Sequence, residues 1–268
     1  MLGAIIGDIA GSRFEWNNHR SKDFELFHKS CFFTDDSVMS LAVAKAVLEA
    51  DGDTEKLSSL AVKYMREIGR KYPDSGYGGM FRKWLFSNDM GSYNSYGNGA
   101  AMRVSACGFA AKSMDEAKLL SRKVTEVTHS HPEGIKGAEA AAVCIFLARE
   151  GKTIQEIRDY VNRNYYLMDF TLDGIRGAYR FNETCQGTVL QAIMAFLESA
   201  QQSHCSGFED AVRNAVSIGG DSDTLAAITG GIAEAYYGIP AEIRQYAQNF
   251  LDEPLLKILT DFEKIYSK

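Results

Sequence analysis

Strand-forming sequence is nearly missing from this chain. Residues 165–172 alone carry a plausible β pattern, and the remainder excludes folds built around a sheet or a β/α barrel. Prolines are few, four in 268 residues, and no Ser/Gly-rich linker marks a boundary. With a length near the upper limit for one hydrophobic core, a single domain over residues 1–268 is expected. No apolar run reaches the roughly twenty residues a membrane span needs. The opening MLGAIIGDIAG has no basic leader and is interrupted by Asp8, so it reads as neither signal peptide nor anchor. The five cysteines are odd in number and scattered without a C-x-x-C, which predicts reduced thiols in a cytoplasmic protein. Basic runs are also missing. A formal charge of −6 and a pI near 5.5 argue against nucleic acid as a partner. A polyanionic ligand would have to be held by metal ions, helix N-termini and backbone N–H groups.

What is present is helical periodicity. Leu57, Leu60, Ala61, Tyr64 and Ile68 fall at i, i+3, i+4, i+7 spacing, as do Leu255, Ile258, Leu259 and Phe262. Ser113 with Glu116, and Thr153 with Glu156, have capping-box spacing, and Pro240 suits the first turn of a late helix. Residues 38–50, 137–148 and 189–197 are apolar almost all round and predict central helices wrapped by amphipathic ones. The expected fold is all-α, one compact globule of about ten or more helices.

Two acidic clusters stand out against this background. Thr34-Asp35-Asp36-Ser37 and Gly219-Gly220-Asp221-Ser222-Asp223-Thr224 each run into an alanine-rich apolar helix pattern. Thr and Asp are also ordinary helix caps, so part of the first cluster has a plain structural explanation. The second carboxylate of an adjacent pair is left over. Asp221 and Asp223, two apart, do not share a helix face and can converge only in the turn before the helix, where two glycines permit tight geometry. A Gly-Gly loop with one Asp cap is the plain alternative there. Taken together, two sets of carboxylate and hydroxyl oxygens with no Cys or His among them suit hard divalent cations.

Other candidates are less distinctive alone. Residues 95–103, SYGNGAAMR, form a glycine-bearing turn that can aim N–H groups at an anion, though it fits neither the Walker nor the dinucleotide pattern. His129 and His131 have the spacing of a zinc pair on a strand, but their surroundings are helical. Glu15 alone reads as a surface acid.

In combination these segments resemble the ADP-ribosylglycohydrolase family. GAIIGDIAGSRFE, FTDDSVM, SYGNGAAMRV, THSHPEGIKGA and GGDSDTLAAITGGIAEAYYGIP occur in the family's order across residues 3–240. The resemblance implies a mainly orthogonal helical bundle with two magnesium or manganese ions between the acidic clusters. Thr34, Asp35 and Asp36 then fall on the ligands of the first cluster. Asp221, Asp223 and Thr224 fall on those of the second, with Asp223 shared by both ions. Glu15 falls on a mobile acid that approaches the ions and moves as substrate enters. Ser95, Tyr96, Gly97 and Asn98, with Gly99 beside them, fall on a diphosphate-cradling turn, and His129 on a pocket histidine. Ser37 stands where Thr is frequent, and residues 16–33 match no member whose specificity transfers.

The activity so implied is release of ADP-ribose from a modified protein or small-molecule acceptor, by cleavage at the anomeric carbon of the distal ribose. Asp35 or Asp36 would orient or deprotonate water, and Glu15 would gate entry or assist. Two other readings stay open: a non-catalytic ADP-ribose sensor on the same fold, and a zinc amidohydrolase using His129 and His131, which would need the β/α barrel the sequence lacks.

Overall fold

The computed structural model describes residues 1–203 and 205–266 and contains fifteen helices among them. They are α1 (Leu2–Ser12), α2 (Asp35–Ala50), α3 (Thr54–Gly69), α4 (Gly79–Phe86), α5 (Gly99–Met102), α6 (Ser105–Ala110), α7 (Met114–Thr125) and α8 (Pro132–Arg149), followed by α9 (Ile154–Asn164), α10 (Leu172–Arg176), α11 (Cys185–Leu197), α12 (Gly207–Val216), α13 (Ser222–Tyr237), α14 (Ala241–Gln248) and α15 (Glu253–Tyr266). The fold is all-α. Among the described residues the one β feature is an isolated antiparallel bridge between Gly97 and Thr184.

The strand expected at residues 165–172 does not form. Tyr166 and Met168 are buried while Leu167 between them is 69% exposed, so the alternation that suggests β is real. No neighbouring strand accepts its backbone, and the segment runs irregularly from the end of α9 into α10. Elsewhere the helical signals hold. The Thr153–Glu156 capping box forms in full. At Ser113 only half of it does, because the Glu116 carboxylate accepts from the N–H of Lys112 instead. Pro240 immediately precedes α14 rather than opening it.

The expected central helices are parts of α2, α8 and α11, and most residues of these stretches are buried. The hub is α13, which packs on α1, α12, α11 and α8. Its closest approach is to α1, a helix buried on all sides. Gly3, Gly7 and Gly11 repeat every fourth residue and so line one face of α1. A Cβ on Gly7 would lie 1.9 Å from the Ala226 carbonyl oxygen, and one on Gly11 2.5 Å from that of Ser222. The two backbones therefore touch. That contact sets Asp8 on α1 and the start of α13 side by side, at the place where α2 also begins.

Candidate active site

The N-terminus of α2 is capped without its two acids. Four leading N–H groups of a helix lack an internal partner. Here Thr34 N–H donates to Asp8 Oδ2 (2.9 Å), Asp35 N–H to the Ser75 carbonyl (2.7 Å), Asp36 N–H to Thr34 Oγ1 (3.3 Å) and Ser37 N–H to Asp8 Oδ2 (3.1 Å). The hydroxyls of Thr34 and Ser37 donate to the Asp8 carboxylate as well. The carboxylates of Asp35 and Asp36 are thus free of capping duty, which removes the plain explanation for them. Asp36 is 3% exposed and its Oδ1 has no hydrogen-bond partner, an unusual position for a buried oxygen.

The second cluster is built differently. Gly219 and Gly220 take φ of 71° and 78°, the left-handed region, and turn the chain sharply into α13. Asp221 stands at the N-cap yet makes no side-chain cap. Its Oδ2 instead accepts 2.6 Å from the Asn98 amide, which also donates to Thr188 Oγ1. Asp223 lies in the first turn, where its Oδ1 accepts from the Thr224 N–H. The Thr224 hydroxyl donates 3.2 Å to Asp36 Oδ2 and joins the two clusters. The carboxylate oxygens of Glu15, Asp221 and Asp223 come within 4.8 Å of one another.

Electrostatics follow from this crowding. Burial first, then repulsion from Asp8, Asp35 and Asp221, holds Asp36 well above the usual carboxylate range. Burial followed by Asp8 and Asp221 does the same to Asp35, and burial followed by Asp221 and Asp36 to Asp223. Glu15, half-buried, is pushed up to about 7 by burial, Asp221, Asp8 and Glu183. Among the described residues no Lys, Arg or His forms an ion pair with any of these acids. Clustered, buried carboxylates with an orphaned oxygen and no cationic side chain form a donor set that fits hard divalent cations.

On the other side of Asn98 lies the glycine-bearing turn. Gly97 N–H donates to Ser95 Oγ (3.1 Å) and Asn98 N–H to the Glu183 carbonyl (2.7 Å). Two amides expected to face an anion are therefore engaged within the protein, and the Asn98 side chain faces the acids rather than a phosphate. Ser95 and Gly99 are half-buried, and Tyr96 is exposed. His129 lies beneath the turn, 4% exposed, with Nε2 3.4–3.5 Å from where side chains on Gly97 and Gly99 would begin. Its Nδ1 is 2.8 Å from the Thr128 hydroxyl, which accepts 2.6 Å from the buried Arg103 guanidinium. The Arg103 guanidinium also lies 3.4 Å from Nδ1 and can only donate, so Nδ1 is the acceptor and the His129 proton sits on Nε2, facing the turn. Burial and then Arg103 hold His129 well below its usual range, as the neutral ring.

His131 is used elsewhere. Its Nδ1 accepts from the Glu133 N–H as the N-cap of α8. Among the described residues neither histidine belongs to a cluster of metal-ligating side chains, so the fold does not assemble a zinc site around them. The polar stretch that holds Glu15 and reaches to Phe33 is bonded to the rest of the fold on both sides of that residue. The Arg13 guanidinium donates to the Glu25 carbonyl, Asn18 Oδ1 accepts from Gly220 N–H (3.0 Å), and Arg20 donates to the carbonyls of Ile218 and Tyr179. Two residues that organise the site were not legible in their roles: Asp8, read only as a break in an apolar run, and Asn98 as a partner of Asp221. Their signal is tertiary, since each partner is 26 or more positions away.

A family model described as ADP-ribosylglycohydrolase matches residues 1–266. The chain belongs to the ADP-ribosylglycohydrolase family. Relatives include ADP-ribosylhydrolase ARH3 of Homo sapiens, 24% identical over 329 residues covering 96% of this chain and 90% of that protein. ADP-ribosylhydrolase ARH3 of Danio rerio is 25% identical over 305 residues, covering 89% and 82%. A solved structure titled ADP-ribosylglycohydrolase-related protein complex superposes with a TM-score of 0.67 at 21% identity, over 99% of this chain and 95% of that one. That likeness is one of fold. The orthogonal bundle expected of an ADP-ribosylglycohydrolase is the fold this chain has.

Proposed function

We propose that this ADP-ribosylglycohydrolase-family chain, acting as one domain over residues 1–268, hydrolyses the bond between the distal ribose anomeric carbon of ADP-ribose and a protein or small-molecule acceptor. The observation that carries the reading is the acid cluster: Glu15, Asp221 and Asp223 offer carboxylate oxygens within 4.8 Å of one another, Thr224 links them to Asp36, and the buried Asp36 Oδ1 has no partner. Magnesium or manganese ions held by Thr34, Asp35, Asp36, Asp221, Asp223 and Thr224 would neutralise this charge and favour ribose hydroxyls and water as further ligands.

The chain's own residues then divide the work. Asp35, which keeps an exposed edge, orients a water at the anomeric carbon, with Asp36 behind it. The acids surrounding the ribose stabilise the positive charge that develops as the glycosidic bond lengthens. Glu15, with its proton affinity raised toward neutrality, accepts or returns a proton at the rim. His129, neutral and protonated on Nε2, donates a hydrogen bond toward a ligand over the Ser95–Gly99 turn. The ARH3 proteins are named ADP-ribosylhydrolases, which supports the reaction class. Five unpaired thiols support a reducing, cytoplasmic setting. None of the described helices is long and apolar enough to cross a membrane.

The test is a panel of ADP-ribosylated arginine, ADP-ribosylated serine and an acyl ester of ADP-ribose, each with and without magnesium. Release of free ADP-ribose that depends on magnesium is expected from at least one of them. Tight binding of ADP-ribose with no turnover on any would make the protein a sensor.

A further inference from the structure

Arg103 is the only arginine buried among the described residues, at 0% exposure. It follows α5 directly, so the chain that forms the Ser95–Gly99 turn places its own guanidinium behind His129. Burial lowers its proton affinity, to about 10, which leaves it charged at neutral pH. For so costly a group it is poorly bonded. Nη2 donates to Thr128 Oγ1 (2.6 Å), His129 Nδ1 (3.4 Å) and the Val124 carbonyl (3.4 Å), and none of these is a carboxylate. Nε and Nη1 have no partner, and the Phe81 ring lies 5.7 Å from the guanidinium carbon. Methionine would serve packing better, filling similar space without a buried charge or unmatched donors.

What a guanidinium does that a neutral group cannot is refuse a proton. A neutral imidazole carries one proton, on Nδ1 or on Nε2, and its neighbours choose which. Among the described residues every side-chain hydrogen bond of His129 is made at Nδ1, with Thr128 Oγ1 (2.8 Å) and Arg103 Nη2. The Thr128 hydroxyl is indifferent, since it can donate or accept. Arg103 has only N–H groups to offer, so a proton on Nδ1 would face the protons of the guanidinium. Burial and then the Arg103 charge keep a second proton off the ring. The single proton therefore lies on Nε2, beside Gly97 and Gly99, which put no side chain in its way.

We propose that Arg103 is a positioning residue for ligand binding: by making Nδ1 the acceptor, it commits His129 Nε2–H to an acceptor-only group, a diphosphate oxygen, over the Ser95–Gly99 turn. The proposal rests on the ADP-ribose reading of the site. It gives the turn a fixed donor in place of the Gly97 and Asn98 amides, which the protein already uses. A diphosphate oxygen cannot donate, so a ring protonated on Nδ1 would meet it lone pair to lone pair. Ribose hydroxyls can donate or accept and are blind to the choice.

Proton–nitrogen correlation spectra of histidine side chains distinguish the two neutral tautomers and the cation. The chain has five histidines, and His129→Gln identifies the signals of His129. The wild type is expected to show the neutral ring protonated on Nε2. Arg103→Met is expected to release the proton to Nδ1, where Thr128 accepts it. It should also weaken ADP-ribose binding in magnesium about 10- to 100-fold, the worth of a hydrogen bond to a charged group. The Tm rise given by ribose is unchanged. Arg103→Lys, still unable to accept, restores the Nε2 tautomer and part of the affinity. On His129→Gln, whose amide presents N–H without a tautomer to fix, Arg103→Met weakens ADP-ribose no further. Thr128→Val leaves Arg103 in place and serves if Arg103→Met does not fold; its ring is expected to stay protonated on Nε2. The proposal is overturned if the wild-type ring is charged or protonated on Nδ1, if Thr128→Val alone moves the proton, or if the Arg103→Met loss persists undiminished on His129→Gln. If the wild type binds no ADP-ribose, the ligand reading fails separately. A proton that moves in Arg103→Met then still supports control of His129 by Arg103, and one that stays on Nε2 overturns it.

Discussion

Asp8 offers the sharpest test of how the site is assembled, because two substitutions of nearly equal chemistry should behave differently. Its buried carboxylate accepts from two backbone N–H groups, Thr34 and Ser37, and from both of their hydroxyls. Asp8→Ala leaves those two N–H groups at the start of α2 without an acceptor and away from water. Each unmade bond of this kind costs about 1–3 kcal/mol, so about 2–6 kcal/mol is expected, with the hydroxyls free to reorient. At about 2–3 °C per kcal/mol for a domain of this size, Tm should fall by roughly 5–15 °C. Asp8→Asn is different. Its amide oxygen can take the place of Oδ2 and accept from both N–H groups, while its NH2 faces the Thr34 hydroxyl. It also removes a charge that burial already disfavours, pushing Asp8 up to about 6. Its loss should stay within about 2 kcal/mol. Urea unfolding of the metal-free proteins, followed by far-ultraviolet circular dichroism, measures both. Equal destabilisation by the two variants, or Asp8→Ala within about 1 kcal/mol of wild type, would refute the capping argument.

Three further outcomes follow from the same geometry. Gly7→Ala puts a methyl group against the Ala226 backbone; it should cost at least about 1–3 kcal/mol by separating α1 from α13, and weaken magnesium-dependent turnover as well, both checked by denaturation and assay. In chelator, stability should fall as pH rises. Asp8 and Glu15 have native values of about 6 and about 7 against ordinary values of 3.8 and 4.5, so the unfolded chain loses its protons first, and the stability present below about pH 4 is lost as pH climbs through about 7. Magnesium should restore it at neutral pH, and Asp223→Asn should flatten the slope in a series of thermal melts from about pH 4.5 to 8. Finally, ADP-ribose with magnesium should raise Tm more than ribose does, and Gly97→Val, whose side chain would meet Ser95 Oγ and His129 Nε2, should reduce that difference; equal shifts from the two ligands would remove the Ser95–Asn98 turn from the diphosphate site.

Local chemistry was largely legible without coordinates. The 3.6-residue spacing of Leu57, Ala61, Tyr64 and Ile68 fixes which face of α3 is buried, because that face is a property of the helix alone. The left-handed turn at Gly219 and Gly220 is likewise a local matter. The family motifs located the acids. Residues 165–172 misled because alternation of burial is local, whereas a strand needs a partner that only the fold can provide. Position 15 read as a surface acid on a loose segment, since nothing nearby in sequence announces that Asn18 and Arg20 bind the far loop at 218–220 and at Tyr179.

By itself, then, the sequence determined the helical class, the buried face of helices such as α3, the Thr153–Glu156 capping box, and the oxygen chemistry of two clusters 185 positions apart. The tertiary structure decided whether those oxygens meet. Glycines every fourth residue let α1 lie backbone to backbone on α13, which sets Asp8 beneath the start of α2 and leaves Asp35 and Asp36 without a capping role. The Thr224 hydroxyl then reaches Asp36, Asn98 steadies Asp221, and Glu15 is drawn in beside Asp223. Periodicity is written along one chain segment, but the neutralisation of a capping duty and the crowding of like charges depend on distances between segments, which only packing sets.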